Sequence, residues 1–119
     1  MDLHGLTLPL AHCAVRVALR ELDRAATAAA AATPGTPLPL PDLVVITGRG
    51  RGSDSAVGPV LRPEVQRMLT EEFYPPLGSV TAPANPGRLV VPAADVTAWA
   101  VHNLRERSRL ISHVGAALR

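Results

Sequence analysis

An aspartate and a histidine two residues apart, Asp2 and His4, open a chain of 119 residues. They alternate with apolar Met1 and Leu3 and are followed by Gly5. In extended backbone, side chains two apart share a face, so the pair is arranged as a small polar site at a strand end. Carboxylate and imidazole together handle protons or hold metal. Asp2 would orient or deprotonate His4, or help hold a divalent ion, and His4 would act as general base or acid on a ribose 2′-hydroxyl or a water. The plain alternative is a turn-capping aspartate beside a solvated terminal histidine. A second polar stretch, "ITGRGRGS" over 46–53, follows an apolar run and precedes a helix. A strand, a glycine-rich loop and a helix in that order offer backbone N–H groups to a phosphate. The stretch has neither a Walker Gly-Lys-Ser/Thr nor a complete GxGxxG. It does carry Arg49 and Arg51 beside Gly48 and Gly50, a composition suited to a phosphodiester backbone; the alternative is an ordinary surface loop. Arg62, near a helix start, opposes the helix dipole, which fits an anion-binding use.

Bulk composition narrows the classes. The chain is long enough for one domain with a real core and no disulfide. Phe73, Tyr74 and Trp99 are its only aromatic residues, so the core rests on Leu, Val and Ala, and binding single strands mainly by base stacking is disfavoured. The lone Cys13 requires no oxidising compartment and reads as a packed core thiol. Net charge is +2, and all 12 basic residues are arginine. Eight of them cluster in two segments: Arg49, Arg51, Arg62 and Arg67 in the first, and Arg105, Arg107, Arg109 and Arg119 in the second. Arginine suits bidentate phosphate contacts. No apolar run approaches the ~20 residues of a membrane span, and Asp2 and His4 stand where a secretory signal needs apolar residues.

The elements that must position these groups follow from periodicity. Residues 1–5 read as the end of a strand. A helix starts at about Leu8, with Thr7 as N-cap and Pro9 in its first turn; the alanine-rich, low-complexity stretch 25–32 either prolongs it or frays. Its His12, Arg16, Arg20 and Arg24 form a solvated stripe, and apolar residues fill the rest, predicting burial on most sides. Four prolines stiffen 33–42. "DLVVITG" over 42–48 reads as a buried strand. A helix from about Val60 to Phe73 holds Pro63 in its first turn. "SVTA" and "RLVV" read as strands joined by the turn "PANPG", and a last helix follows Asp95 and contains Trp99 as a core residue. The predicted fold is an α/β two-layer sandwich, β-α-β-α-β-β with an extra C-terminal helix. The division is a domain over 1–100 and a helical extension over 101–119.

Taken in order, "DLHG", a helix, a buried strand ending in "TGRG", the pair Leu61-Arg62 opening the next helix, and a hairpin leading to "NPGRLVV" and Trp99 resemble the Smr (small MutS-related) domain. The likeness spans about residues 1–100 and is greatest to the version found at the C-terminus of plant pentatricopeptide-repeat proteins. Arg49 stands where plant members often have Trp, the helix after Trp99 runs past the usual domain end, and little precedes Asp2, which would leave the first strand short or mark an excised fragment. The resemblance implies a fold like the C-terminal domain of translation initiation factor three, with a four-stranded sheet and two helices. It implies binding of nucleic acid, RNA ahead of DNA, and in several members nicking of the strand. Carried onto this chain, the catalytic positions are Asp2 and His4 and the nucleic-acid contacts are Thr47, Gly48, Arg49 and Gly50, to which the residues' own chemistry adds Arg51 and Arg62. No protein-built metal site is expected; Mg²⁺ would ride on substrate phosphates. Helical repeats upstream would read the bases, in a chloroplast or mitochondrion, with no membrane partner. The alternatives are a binding module without chemistry and a protein-interaction domain.

Overall fold

The structure, a computed structural model, describes residues 1–35, 38, 40–48 and 58–118. Its elements are α1 (Leu8–Ala32), β1 (Leu43–Ile46), α2 (Gly58–Glu71), β2 (Val80–Ala82), β3 (Asn85–Val91) and α3 (Ala93–Ala117). The three strands form one antiparallel sheet in the order β1-β3-β2. Among the described residues, no helix is long and apolar enough to cross a membrane.

The order α-β-α-β-β-α corrects the expected β-α-β-α-β-β sandwich and its four-stranded sheet. The expected first strand reduces to a single parallel bridge between Asp2 and Ile46. Leu3 N–H donates to Ile46 O (2.7 Å) and Ile46 N–H to Met1 O (2.8 Å), while the Met1 ammonium donates to Val44 O (2.9 Å). A ladder needs successive pairs, and the chain turns away at once. The Asp2 carboxylate accepts the His4 backbone N–H at 2.9 Å, and Gly5 enters the left-handed region at φ +79°, which glycine adopts without steric cost. Leu3 nevertheless anchors the segment, fully buried between exposed Asp2 and His4.

The hairpin also differs from expectation. β2 and β3 are joined by Pro83 and Ala84 alone, and Asn85, Pro86 and Gly87 belong to β3. Proline lacks the N–H that a central strand normally donates. Here the pairing to β2 slips between Thr81 and Ala82, so the ladder is already irregular where Pro86 sits.

Alpha-helical packing is one-sided. α1 buries Ala11, Val15, Leu19 and Ala26, a stripe at helical spacing, and leaves Leu10 and Val17 more than half exposed. Cys13, two residues from Ala11 and thus on the far side of the helix, is exposed rather than packed. Thr7 occupies the N-cap with extended backbone but makes no side-chain cap bond. α2 begins at Gly58, which puts Pro63 inside the helix rather than in its first turn. Trp99 lies in the core as expected, edge-on to Phe73 with centroids 6.2 Å apart. α3 runs unbroken through residues 100 and 101, and its last turns expose Leu110, Ile111 and Val114.

Part of the stripe expected in solvent instead ties helices together. His12 Nε2 lies 3.0 Å from Glu64 Oε1, and Arg16 donates to both oxygens of Glu72 at 3.2 and 3.1 Å. Arg67 holds Glu64 and Glu71, and Arg107 reaches back to Asp23 and Thr27. The Arg67 hydrogen bonds, helped by His12 and opposed by partial desolvation, hold the Glu64 carboxyl down from 4.5 to about 2. A depressed folded-state value stabilises above the unfolded value and is lost as pH falls through the folded one. The stability difference between wild type and Glu64→Gln is therefore expected at neutral pH, to shrink below about pH 4.5, and to close near pH 2. Thermal unfolding at stepped pH checks it.

Candidate functional site

The two polar stretches singled out from the sequence meet. β1 ends at Ile46, and the next two residues continue its register against β3. Thr47 N–H and Gly48 N–H both donate to Gly87 O, at 2.8 and 3.2 Å. Gly48 lies at φ +81°, and the His4 ring packs directly on it: a Cβ at position 48 would stand 2.7 Å from His4 Cδ2. "DLHG" and "TG" are thus in contact because the parallel bridge at Asp2 and Ile46 brings their strand ends side by side.

Each expected residue has a definite place where it is described. Asp2 and His4 are exposed. The Asp2 carboxylate holds the His4 backbone, not its ring, so Asp2 fixes where the histidine sits without orienting its imidazole. The ring makes no hydrogen bond among the described residues. Thr47 is buried, 1 % exposed, with its hydroxyl 3.4 Å from both Gly48 O and Gly87 O. Its N–H and that of Gly48 both donate to the Gly87 carbonyl. Arg62 donates from Nη1 to Pro86 O at 2.8 Å, which brings the start of α2 to the same corner with guanidinium N–H groups to spare. Arg49, Gly50 and Arg51 lie outside the described residues.

Two contributors were not foreseen. Asn85–Gly87, read as a turn, is the scaffold on which Gly48 and Arg62 both rest, with Asn85 Oδ1 accepting the Gly87 N–H at 3.1 Å. The signal was present as two glycines without side chains on adjoining strand ends, but only the register brings them together. Arg88 was passed over as an ordinary strand residue. It is exposed and stands directly opposite Ile46, and Ile46 is itself bridged to Asp2. Paired residues point to one face of a sheet, so Asp2, Ile46 and Arg88 form a row across it. Among the described residues, the corner thus gathers the His4 imidazole, which makes no hydrogen bond, Arg62, Arg88 and the Asp2 carboxylate.

No family model, curated protein or solved structure matches this chain.

What the corner can do chemically is limited by its donors. Asp2 is its one described carboxylate, and among the described residues no group of three His, Cys, Asp or Glu stands together as a metal site. A hard divalent cation prefers six or more oxygen ligands, and the described residues of the corner supply one carboxylate toward them. The imidazole and the guanidinium groups fit a phosphate oxygen.

Proposed function

We propose that this chain binds a nucleic-acid backbone, RNA ahead of DNA, with phosphates seated across the corner formed by His4, Arg62 and Arg88. The observation that carries the reading is the convergence of the "DLHG" and "TG" stretches on one strand end beside the two arginines. The Smr-like motifs support the same chemistry from the sequence side, independently of the sheet order. Arg88 stands on β3, and Arg62, on α2, is tied to β3 through the Pro86 carbonyl, so both are carried by regular elements rather than by a loop, and rigid placement favours recognition of a repeating charge.

Such binding is dominated by counterion release and weakens steeply with salt. Arg88→Ala is expected to weaken RNA binding and to lower the slope of log affinity against log salt by about 1, with stability unchanged within about 0.5 kcal/mol, as for an exposed side chain. Fluorescence anisotropy with a labelled single-stranded RNA across a salt series measures the slope. A slope identical to wild type removes Arg88 from the interface. Arg62→Ala is expected to lower the slope similarly and to loosen the Pro86 carbonyl as well.

Strand cleavage is the second reading, favoured by the exposed His4 ring, which makes no hydrogen bond among the described residues and could take or give a proton at a 2′-hydroxyl. The carboxylate that would normally orient such a ring is occupied by backbone, so the geometry supports binding better than chemistry.

A further inference from the structure

From the packing of three backbone segments we infer that Gly87, on β3, is the positioning residue for the His4 imidazole, acting through Gly48. The inference rests on the proposed role of His4 at a phosphate site. A Cβ at position 87 would stand 2.8 Å from Gly48 C, 3.0 Å from Gly48 O and 3.1 Å from Gly48 Cα. Those are backbone atoms, not the end of a side chain that can swing aside. Gly48 cannot yield inward, because its N–H and that of Thr47 are both held by the Gly87 carbonyl. On its other side lies the His4 ring, near enough that a Cβ at Gly48 would meet Cδ2 at 2.7 Å. The order is Gly87, Gly48, His4, each in contact with the next.

Two glycines in this order do what one would not. The absence of a Cβ at Gly87 lets β3 and the end of β1 touch backbone to backbone, and the absence of one at Gly48 lets the imidazole lie on that backbone. The ring is positioned by this support and by the Asp2 bond to its main chain, not by a hydrogen bond to either ring nitrogen. Asn85 fixes Gly87 through its N–H, and Arg62 fixes the neighbouring Pro86 carbonyl. The same three residues of β3 therefore set both His4 and Arg62, which ties their separation to one short segment. A single added methyl at Gly87 drives Gly48 outward against the His4 ring, and the exposed imidazole must swing off that backbone.

The test is the NMR signature of the His4 ring in the full chain, assigned by its loss in His4→Ala, together with RNA affinity. In wild type a cross-peak between the His4 Hδ2 and the Gly48 Hα protons is expected. In Gly87→Ala it is expected to disappear, with the Hδ2 signal shifted and RNA binding weakened about fivefold or more, as in His4→Ala. Gly78→Ala is the comparison: a Cβ there meets only Asp95 Oδ2 at 3.7 Å, and the His4 signals should stay in place. Should Gly87→Ala fail to fold, Asn85→Ala removes the brace on Gly87 without adding an atom and is expected to shift the same signal. Unmoved His4 signals in a folded Gly87→Ala, or in Asn85→Ala where that is the only folded variant, overturn the inference. Displaced signals with RNA affinity unchanged in both Gly87→Ala and His4→Ala uphold the positioning and overturn the phosphate-binding role instead.

Discussion

Leu3→Ala is expected to destabilise the fold by about 2–5 kcal/mol, the usual cost of truncating a fully buried leucine, and to detach the site in the same step. Leu3 is 0 % exposed, and it is the only buried residue of the segment that carries Asp2 and His4. What holds that segment otherwise is one bridge to Ile46 and the hydrogen bonds around it. Net worth per hydrogen bond is only about 1 kcal/mol, so burial of the leucine is the larger contribution. Denaturant unfolding measures the first effect. The second appears as faster hydrogen exchange at the amides of Leu3 and Ile46, whose acceptors lie across that bridge. Leu110→Ala serves as the contrast, because Leu110 is 62 % exposed and should change stability by no more than about 0.5 kcal/mol. If Leu3→Ala were as mild as Leu110→Ala, the opening segment would not be anchored where it is described.

Gly48→Ala is expected to produce the next largest effect, and comparison with Gly5→Ala separates its two parts. Both glycines hold a left-handed conformation, at φ +81° and +79°, which costs an L-residue about 1–2 kcal/mol. Nothing stands within 4 Å of a Cβ at Gly5, whereas one at Gly48 runs into the His4 ring. The two variants should therefore lose similar stability from the backbone. Since the exposed imidazole can swing aside, the added cost at Gly48 falls on the site, not the fold. RNA affinity should drop in Gly48→Ala by at least as much as in His4→Ala, and less in Gly5→Ala. Equal losses in the two glycine variants would show that backbone strain alone, and not displacement of His4, governs the site.

These effects also show which parts of the molecule were legible beforehand. The site's two halves were readable because their chemistry lies in short contiguous stretches. Period-two alternation placed Asp2 and His4 on one face, and an apolar β-branched run announced the strand that ends at Thr47. Length was the missing quantity in the first case. Alternation over four residues looks the same whether the segment makes a strand or a single bridge, and the Asp2 and Gly5 turn decides for the bridge. Asn85–Gly87 read as a turn because proline and glycine usually punctuate; a slipped register that frees Pro86 from donating leaves no mark in local sequence. The start of α1 was readable from Thr7 and Pro9, whereas its alanines were compatible with both a prolonged helix and a frayed end. Its burial was not, since apolar residues around most of its circumference do not say which face meets a partner, and Cys13 and Val17 fall on the open side. His12 and Arg16 looked solvated for a similar reason: their acceptors, Glu64 and Glu72, lie 52 and 56 residues further along.

The most direct measurement is a titration of the isotopically labelled full chain with a single-stranded RNA oligomer at low salt, following backbone amide shifts. The expected result is saturable binding with the changes gathered at Asp2–Gly5, Arg62 and Asn85–Arg88, diminishing as salt is raised. Absence of binding, or changes confined to the exposed apolar turns of α3 around Ile111 and Val114, would contradict a phosphate-binding corner and point to a protein partner on that helix instead.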